Sequence, residues 1–502
     1  MRPCILDHHG RPVTSAYLYE GASGGRRMSS WGLSTASENA ALYSSLSTLR
    51  ARSRELERNE PLASGAVETW VANLISTGIT PGRWVPDQPE LSREISDLWK
   101  LWAPFADSAG VVSFYGLQVQ IARSWIMSGE VLARKVLRPA SDGLPVPLQI
   151  QVLEADHLDA MYNTINPETG NRVRMGIELD ATGRRVAYHL FKDHPGEVFP
   201  GMESTTRVRV PAEEILHVYD PIRPGQLRGR PKLAPIIVGM HDLDQVQDAE
   251  RVRRKTTAMF GGFITSETGE DAGTSGRVIG RDDGDDGNGS QVIAMEPGTF
   301  PVLPPGTDVK FSTPHDVSGS YIDWVDANKR DSAVGMGLTY EQFTGDLRRA
   351  TFSSMRGGAL EARRKFRMQQ FMTIIHQFCR PVAAWWLDEA VLSGAVTIPG
   401  YNRKTRLRFH QVSWRPDGWE WINPLQEATA EKVAMRCGVR SRDEVISSHG
   451  GDPEQVDADQ AAANKRADDL GLVHDSDPRA TSAEGTAQDP PPAAADDDKG
   501  AA

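Results

Sequence analysis

Cysteine is scarce in this chain. Cys4, Cys379 and Cys437 are the only three among 502 residues. They are far apart and form no CxxC pair, so neither a disulfide framework nor a zinc site is expected. No apolar run approaches the ~20 residues needed to cross a bilayer. The opening MRPCILDHHGRPV has no apolar centre of the kind a signal peptide carries. The expectation is a protein without membrane contact that stays in the cytoplasm of the cell that makes it. Basic charge is also in deficit: 56 Lys and Arg stand against 67 Asp and Glu, a net charge of −11. Proteins that grip DNA draw most of their affinity from neutralised phosphates and released counterions. The deficit therefore argues against a sequence-specific DNA binder, while a wall that repels phosphate suits a conduit along which a duplex slides. Triphosphate chemistry lacks its signature too, since GxxxxGK[ST] does not occur.

Two weaker catalytic patterns fail on their context. Gly21 to Gly25 matches GxSxG, but Gly24, Gly25, Arg26 and Arg27 follow where a nucleophile elbow needs a helix. The densest acidic cluster, Asp282 to Asp286, lies in glycine-rich sequence and not on an ordered element that could hold nuclease metals. Read as a calcium loop from Asp283, it places Asn288 where glycine is wanted and Ala294 where a bidentate glutamate is needed. No enzymatic activity, cofactor or metal is expected.

What the chain does contain is periodicity. A length of 502 residues calls for more than one subdomain. Residues 1–34 read as a flexible arm. Helical patterns run from Thr35 to Ile75 around Asn59-Glu60-Pro61, then from Leu91 to Phe105 and from Phe114 to Gly129, with Trp99, Trp102 and Trp125 as core positions. From Glu130 to His217 the period shortens to strands over 131–137, 148–153, 186–191 and 208–210. His217, alone at a strand end, reads as a hydrogen-bonded structural residue. PIRPGQLRGRPKLAP, with four prolines, two glycines and three arginines, reads as a rigid surface connection.

A helix over 231–262 follows, apolar on one face through Leu233, Ile236, Ile237, Met240, Leu243 and Val246, with acids early and bases late as the helix dipole favours. Ser266 to Ser290 carries seven acids and almost no apolar residue, so a mobile insertion is expected there. Val292 to Phe311 reads as short strands with Pro-Gly turns. The helix over 319–337 is apolar only at Tyr321, Ile322, Trp324 and Val325 before turning polar, too little for a monomer to bury.

After a loop-like run, LTYEQFTGDLRRATFSS, a long helical segment places Met355, Ala359, Ala362 and Phe366 on one stripe, and Phe371, Ile374, Phe378, Val382 and Trp385 on a second. Arg356, Arg363 and Arg367 form a basic stripe, for which a solvated face is the ordinary reading. Residues 407–414 read as β-like. Trp414, Trp419 and Trp421 read as packing anchors, and 424–437 and 441–448 as short helices. From His474 to Ala502 no large apolar residue occurs, and a disordered tail is expected.

GLTYEQFTGD followed by FSSMRGGALEARRKFRMQQF closely resembles the lambda-type family of tailed-phage portal proteins, whose pattern reads tGD, then SS.R...le.rR....Q. RSRELERNEPLASGAVETWVANLISTGITP, PLQIQVLEADHL, GIELDATGRRVAYHL, AEEILHVYDPIRPGQLRGRPKLAPII and WINPLQEATAEKVAMRCGVRSRDEVISSHGGDPEQV extend the resemblance in the family's order over most of 35–472. It implies an α+β portal fold divided as follows: a wing over 35–230; a first stem helix over 231–262; a clip with the acidic insertion over 263–318; a second stem helix over 319–337; a tunnel loop over 338–352; a long kinked helix and wing return over 353–415; and a helical crown over 416–473, ahead of the tail over 474–502.

By position, the resemblance makes Arg348, Arg349 and Lys329 DNA-facing, and Glu341 and Asp346 repelling or inter-subunit partners. It makes Gly357 and Gly358 the helix kink. It implies a homo-oligomeric ring of twelve copies at one capsid vertex, passing double-stranded DNA. The implied partners are the terminase large subunit, a major capsid or scaffold protein, and head-completion or connector proteins. The expected location is the virion, with host cytoplasm during assembly. A capsid or head-tail adaptor without a channel fits the composition equally well and is separated from a portal only by the order of stem, clip and loop together with the family resemblance.

Overall fold

A computed structural model describes Ala22, residues 30–85, 88–197, 206–259, 278–279, 300–301 and 318–474, and Asp477 and Arg479. All of the GxSxG run but Ala22, the acidic cluster, most of the expected clip and nearly all of the tail lie outside the described residues.

Helices α1 (Glu38–Asn59) and α2 (Pro61–Leu74) contact each other and are separated by Glu60, with Pro61 at the first position of α2. Strand β1 (Thr80–Pro81), α3 (Pro89–Trp102) and α4 (Phe114–Ser128) follow. Ser37 and Ser113 cap α1 and α4, each accepting a backbone N–H from the first turn. Strands β2 (Glu130–Leu137), β3 (Leu148–Glu154), β4 (Thr164–Ile165), β5 (Arg172–Arg174), β6 (Ile177–Leu179), β7 (Arg185–Phe191), β8 (Arg207–Pro211) and β9 (Ile215–Tyr219) divide between two antiparallel sheets. One has the order β3-β2-β9 and the other β4-β5-β6-β7-β8. All four strands expected from the sequence are present, and the short β4 to β6 and β9 add to them.

Two long helices, α5 (Ile237–Met259) and α6 (Ser318–Met336), pack together at their base, where a Cβ on Gly335 would overlap Ile236. Between them β10 (Val278–Ile279) pairs antiparallel with β11 (Phe300–Pro301). The sequence assigns 278–279 to a mobile insertion, yet their backbone is paired.

Helix α7 (Tyr340–Thr344) precedes α8 (Phe352–Gln369), which passes into a π-helical segment, Gln370–Cys379, and then α9 (Arg380–Leu392). A helical turn α10 (Arg406–Phe409) and β12 (Trp414–Arg415) come next. The β-like reading of 407–414 is thus corrected. Asn402 accepts the N–H groups of Lys404 and Thr405 and so closes a turn that seeds α10, leaving only two residues to pair with β1. Helices α11 (Pro424–Arg436), α12 (Arg442–Ser448) and α13 (Pro453–Asp469) complete the described chain.

The core is continuous from α2 to β12. At its centre Trp99 contacts Trp84, Trp102, Phe114, Trp386 and Trp414, with ring centroids 4.9–6.1 Å apart. Offset and edge-on aromatic pairs add ~0.5–1.5 kcal/mol each beyond their area, so Trp84 and Trp414, at opposite ends of the body's sequence, are held by one cluster.

Candidate functional site

The base of the α5–α6 pair and the segment beyond it, Gly337 to Thr351, hold most of the residues singled out from the sequence. This segment is less of a loop than expected. Thr339 accepts from the Gln342 N–H, and the Gln342 side chain accepts from the Thr339 N–H, a capping box that nucleates α7. Gly345 ends it at a φ of 68°, which favours glycine. Leu338 and Phe343 are buried in the main core. The short helix, unlike an extended loop, turns Phe343 inward.

Beyond Gly345 the chain rises to the surface. Asp346 accepts the Arg348 backbone N–H, closing an Asx turn, and takes the Arg348 guanidinium on both oxygens at 2.6–3.1 Å. That guanidinium holds the Asp346 carboxyl well below the usual carboxylate range. Arg349 lies 3.8 Å from Asp326 of α6, and Tyr340 donates to the same carboxylate at 3.4 Å. Arg330, one turn along α6, sits 5.3 Å over the Tyr340 ring. The side chains of Arg348 and Arg349 remain 86% and 78% exposed. Thr351 then caps α8, again through a capping box, with Ser354.

Asp346, Arg348 and Arg349 are thus brought together, with Asp326, Arg330 and Tyr340 as neighbours that the sequence reading missed. Lys329 is not among them. It stands among the charges acting on Glu60, together with Asp244 and Arg251, on the side of α6 that faces the first helices. Glu341, half-buried on α7, makes no side-chain ion pair among the described residues. The α pattern runs unbroken through Gly357 and Gly358. Gly358 instead permits close approach, since a Cβ there would come within 2.9 Å of the Thr339 methyl. The helix leaves α geometry later, over Gln370–Cys379.

The basic stripe of α8 is only partly solvated. Arg363 and Arg367 lie 5.7 and 5.5 Å over the Trp419 ring, and Arg363 donates to the Glu420 carbonyl at 2.9 Å. Trp414 is buried, whereas Trp419 is half-buried and Trp421 exposed.

Two groups could be mistaken for catalytic sites. His217 lies against Glu130, Nε2 to Oε2 3.0 Å, a partner 87 residues away that the sequence pattern did not reveal. Glu130 also takes Arg50, Arg228 and the Gly229 N–H. The set is fully buried, which suits a structural role and leaves no room for substrate. Glu154, Asp156 and His194 bring three potential cation ligands within 4.8 Å of one another. The Arg54 guanidinium already pairs with both carboxylates and supplies the positive charge there.

The chain matches the model of the phage portal protein, lambda family, over residues 24–370. It is 28% identical over 429 residues to the probable portal protein of Halomonas phage phiHAP-1, covering 83% of this chain and 79% of that one. It is 21% identical over 518 residues to portal protein B of Escherichia phage lambda, covering 91% of each. Among solved structures it aligns with a chain in the neck of the native gene transfer agent particle computed with C12 symmetry, at 15% identity and a TM-score of 0.41, covering 80% of this chain and 94% of that one. The family model covers more than half of the chain, and the segment with the capped α7 and the surface arginines lies inside it: the protein belongs to the lambda family of phage portal proteins.

Proposed function

We propose that copies of this chain close into a ring at one capsid vertex, with twelve subunits, and that double-stranded DNA enters and leaves through its centre. In this reading α5 and α6 are the stem, β10 and β11 belong to the clip, residues 338–352 form the tunnel loop, and α11 to α13 form the crown. The two sheets with α1 to α4 make up the wing. The terminase large subunit and later the head-completion or connector proteins dock at the clip end, and a capsid or scaffold protein holds the rim.

The observation that carries the proposal is the state of the stem. Val246, Val252, Ile322 and Trp324 are 39%, 54%, 59% and 40% exposed on helices that are otherwise polar. Isolated apolar side chains on such helices gain burial only from a neighbour, and a heterologous contact repeated around an axis closes a ring. The remaining polar face is then left for a water-filled channel. Arg348 and Arg349 sit at the stem base, and their ion pairs to Asp346 and Asp326 are exposed. Such pairs are worth little and exchange readily for phosphate. The experiment is electron microscopy of the purified protein, where closed rings with a central channel are expected. A stable monomer with no rings across several ionic strengths would favour a channel-free adaptor instead.

A further inference from the structure

Beneath the stem base lies a pocket of about 260 Å³, walled by Trp70 of α2, Trp125 of α4, the end of α6 and one side of α8. Three cations, Arg230, Lys232 and Lys365, line it against one carboxylate, Asp220. Asp220 is already engaged, accepting the Gln369 amide at 3.0 Å. None of the three cations makes an ion pair within 4.0 Å among the described residues. Lys232 is the most telling: its ammonium lies 4.0 Å over the Trp70 ring and 5.7 Å from the Trp125 ring centre. The ring faces attract the charge but accept none of its three N–H groups in ordinary hydrogen bonds. The Trp70 indole N–H is itself committed to the Met336 carbonyl at 3.0 Å. Burial, with Arg230 and Lys365 adding to it, lowers the Lys232 pKa against the opposing pull of Asp220. A half-buried ammonium with no carboxylate partner within 4.0 Å, beside two exposed cations and a single carboxylate, leaves the pocket with an excess of positive charge.

We infer that this pocket is a binding site for a tetrahedral oxyanion of the phosphate or sulfate class, held by Lys232 from the aromatic wall and by Arg230 and Lys365 from the rim. At about 30 Å³ per water, the pocket has room for such an ion with part of its hydration shell. Because Arg230 and Lys232 precede α5 and Lys365 lies on α8, the bound anion ties the approach to the first long helix to α8. The site is separate from the surface arginines and does not depend on how many copies assemble.

The test is isothermal titration of the full chain with inorganic phosphate, at ionic strength held constant with chloride. Saturable binding of one phosphate per chain is expected, with an accompanying rise in Tm. K365Q alters an exposed side chain and preserves the fold, so it should weaken binding at least tenfold. K232Q should abolish binding. Absence of saturable heat in the wild type overturns the proposal, and so does wild-type affinity in K365Q. If K232Q fails to fold, K365Q and R230Q decide the matter alone. If Lys232 serves only as a cation over the tryptophans, K232Q lowers Tm in chloride and still binds phosphate, which also overturns it.

Discussion

Glu130 lies at the first position of β2 with no exposure at all, and its carboxylate joins three parts of the chain: α1 through Arg50, β9 through His217, and the connection before α5 through Arg228 and Gly229. Burial pushes its pKa up, but Arg228, Arg50 and His217 outweigh that and hold it well below the usual carboxylate range. Removing one partner strands a buried charge, so Arg228→Leu is expected to cost about 3–5 kcal/mol, measured by urea unfolding. Gly229 passes so close to Gly129 that a Cβ would overlap the Gly129 carbonyl oxygen. Gly229→Ala should therefore leave little soluble folded protein.

Burial lowers the His217 pKa to about 4, against the opposing effect of Glu130. Between pH ~6.5, the unperturbed value, and pH 4 the unfolded chain binds a proton there that the folded chain does not. Stability should fall as pH drops through that window. The slope of unfolding free energy against pH should be shallower in His217→Gln, and an unchanged slope would remove His217 as its source. Neither the carboxylate partner nor the close glycines could be read from the sequence, because the positions in contact are 80 to 100 residues apart and share no spacing rule.

At the scale of elements, residues 338–352 divide into an anchored half and a free half. Phe343→Ala should cost about 3–5 kcal/mol, the usual loss for a core phenylalanine, with a matching fall in denaturation midpoint. Arg348→Glu with Arg349→Glu should leave the midpoint nearly unchanged, since surface substitutions stay within about 0.5 kcal/mol. In a packaging assay that same double variant should fill or retain DNA poorly. The defect should change with salt because phosphate contacts are screened, and normal filling at low and high salt would take both arginines off the channel wall.

The π segment has its own work. Gln370 donates to the Leu74 carbonyl at 3.0 Å, and Gln377 bonds both backbone groups of Tyr219 at 2.9–3.0 Å, so the helix completes the end of α2 and the end of β9. The apolar stripes were legible in part: Ala362, Phe366, Ile374, Phe378 and Val382 are buried, Ala359 and Trp385 are half-buried, and Met355 and Phe371 are exposed, with Trp386 taking the core position beside Trp385. The change from α to π was not, because i→i+5 bonding is imposed by what the glutamines reach and not by helix propensity.

For the molecule as a whole, the prediction that separates folding from assembly lies on the stem. Ile322→Ser with Trp324→Ser removes two exposed apolar side chains of α6 and should abolish rings in sedimentation velocity while leaving the subunit's circular dichroism intact. Rings that persist would place the subunit contact elsewhere.

The sequence by itself determined the order and kind of the elements. Capping residues, prolines and hydrophobic periods are local, and they locate α1 to α6, α8, the principal strands, and the long helical segment to within a few residues. It also determined the family, because the motif order survives where overall identity is low. α13 was open to the same reading, through Asp452 as cap and Pro453 at the first helical position, and was missed because the segment has few apolar residues to give it a period. The tertiary structure alone decided which charges meet. Lys329 and Arg348 share a polar stretch of sequence but point to different sides of the stem base, and Asp326 joins the arginine cluster only because α7 folds back on α6. It alone decided the partner of His217 and the cation-lined pocket under the stem. Burial, and with it the strength of every charge in this protein, is a property of packing between distant segments, on which local sequence is silent.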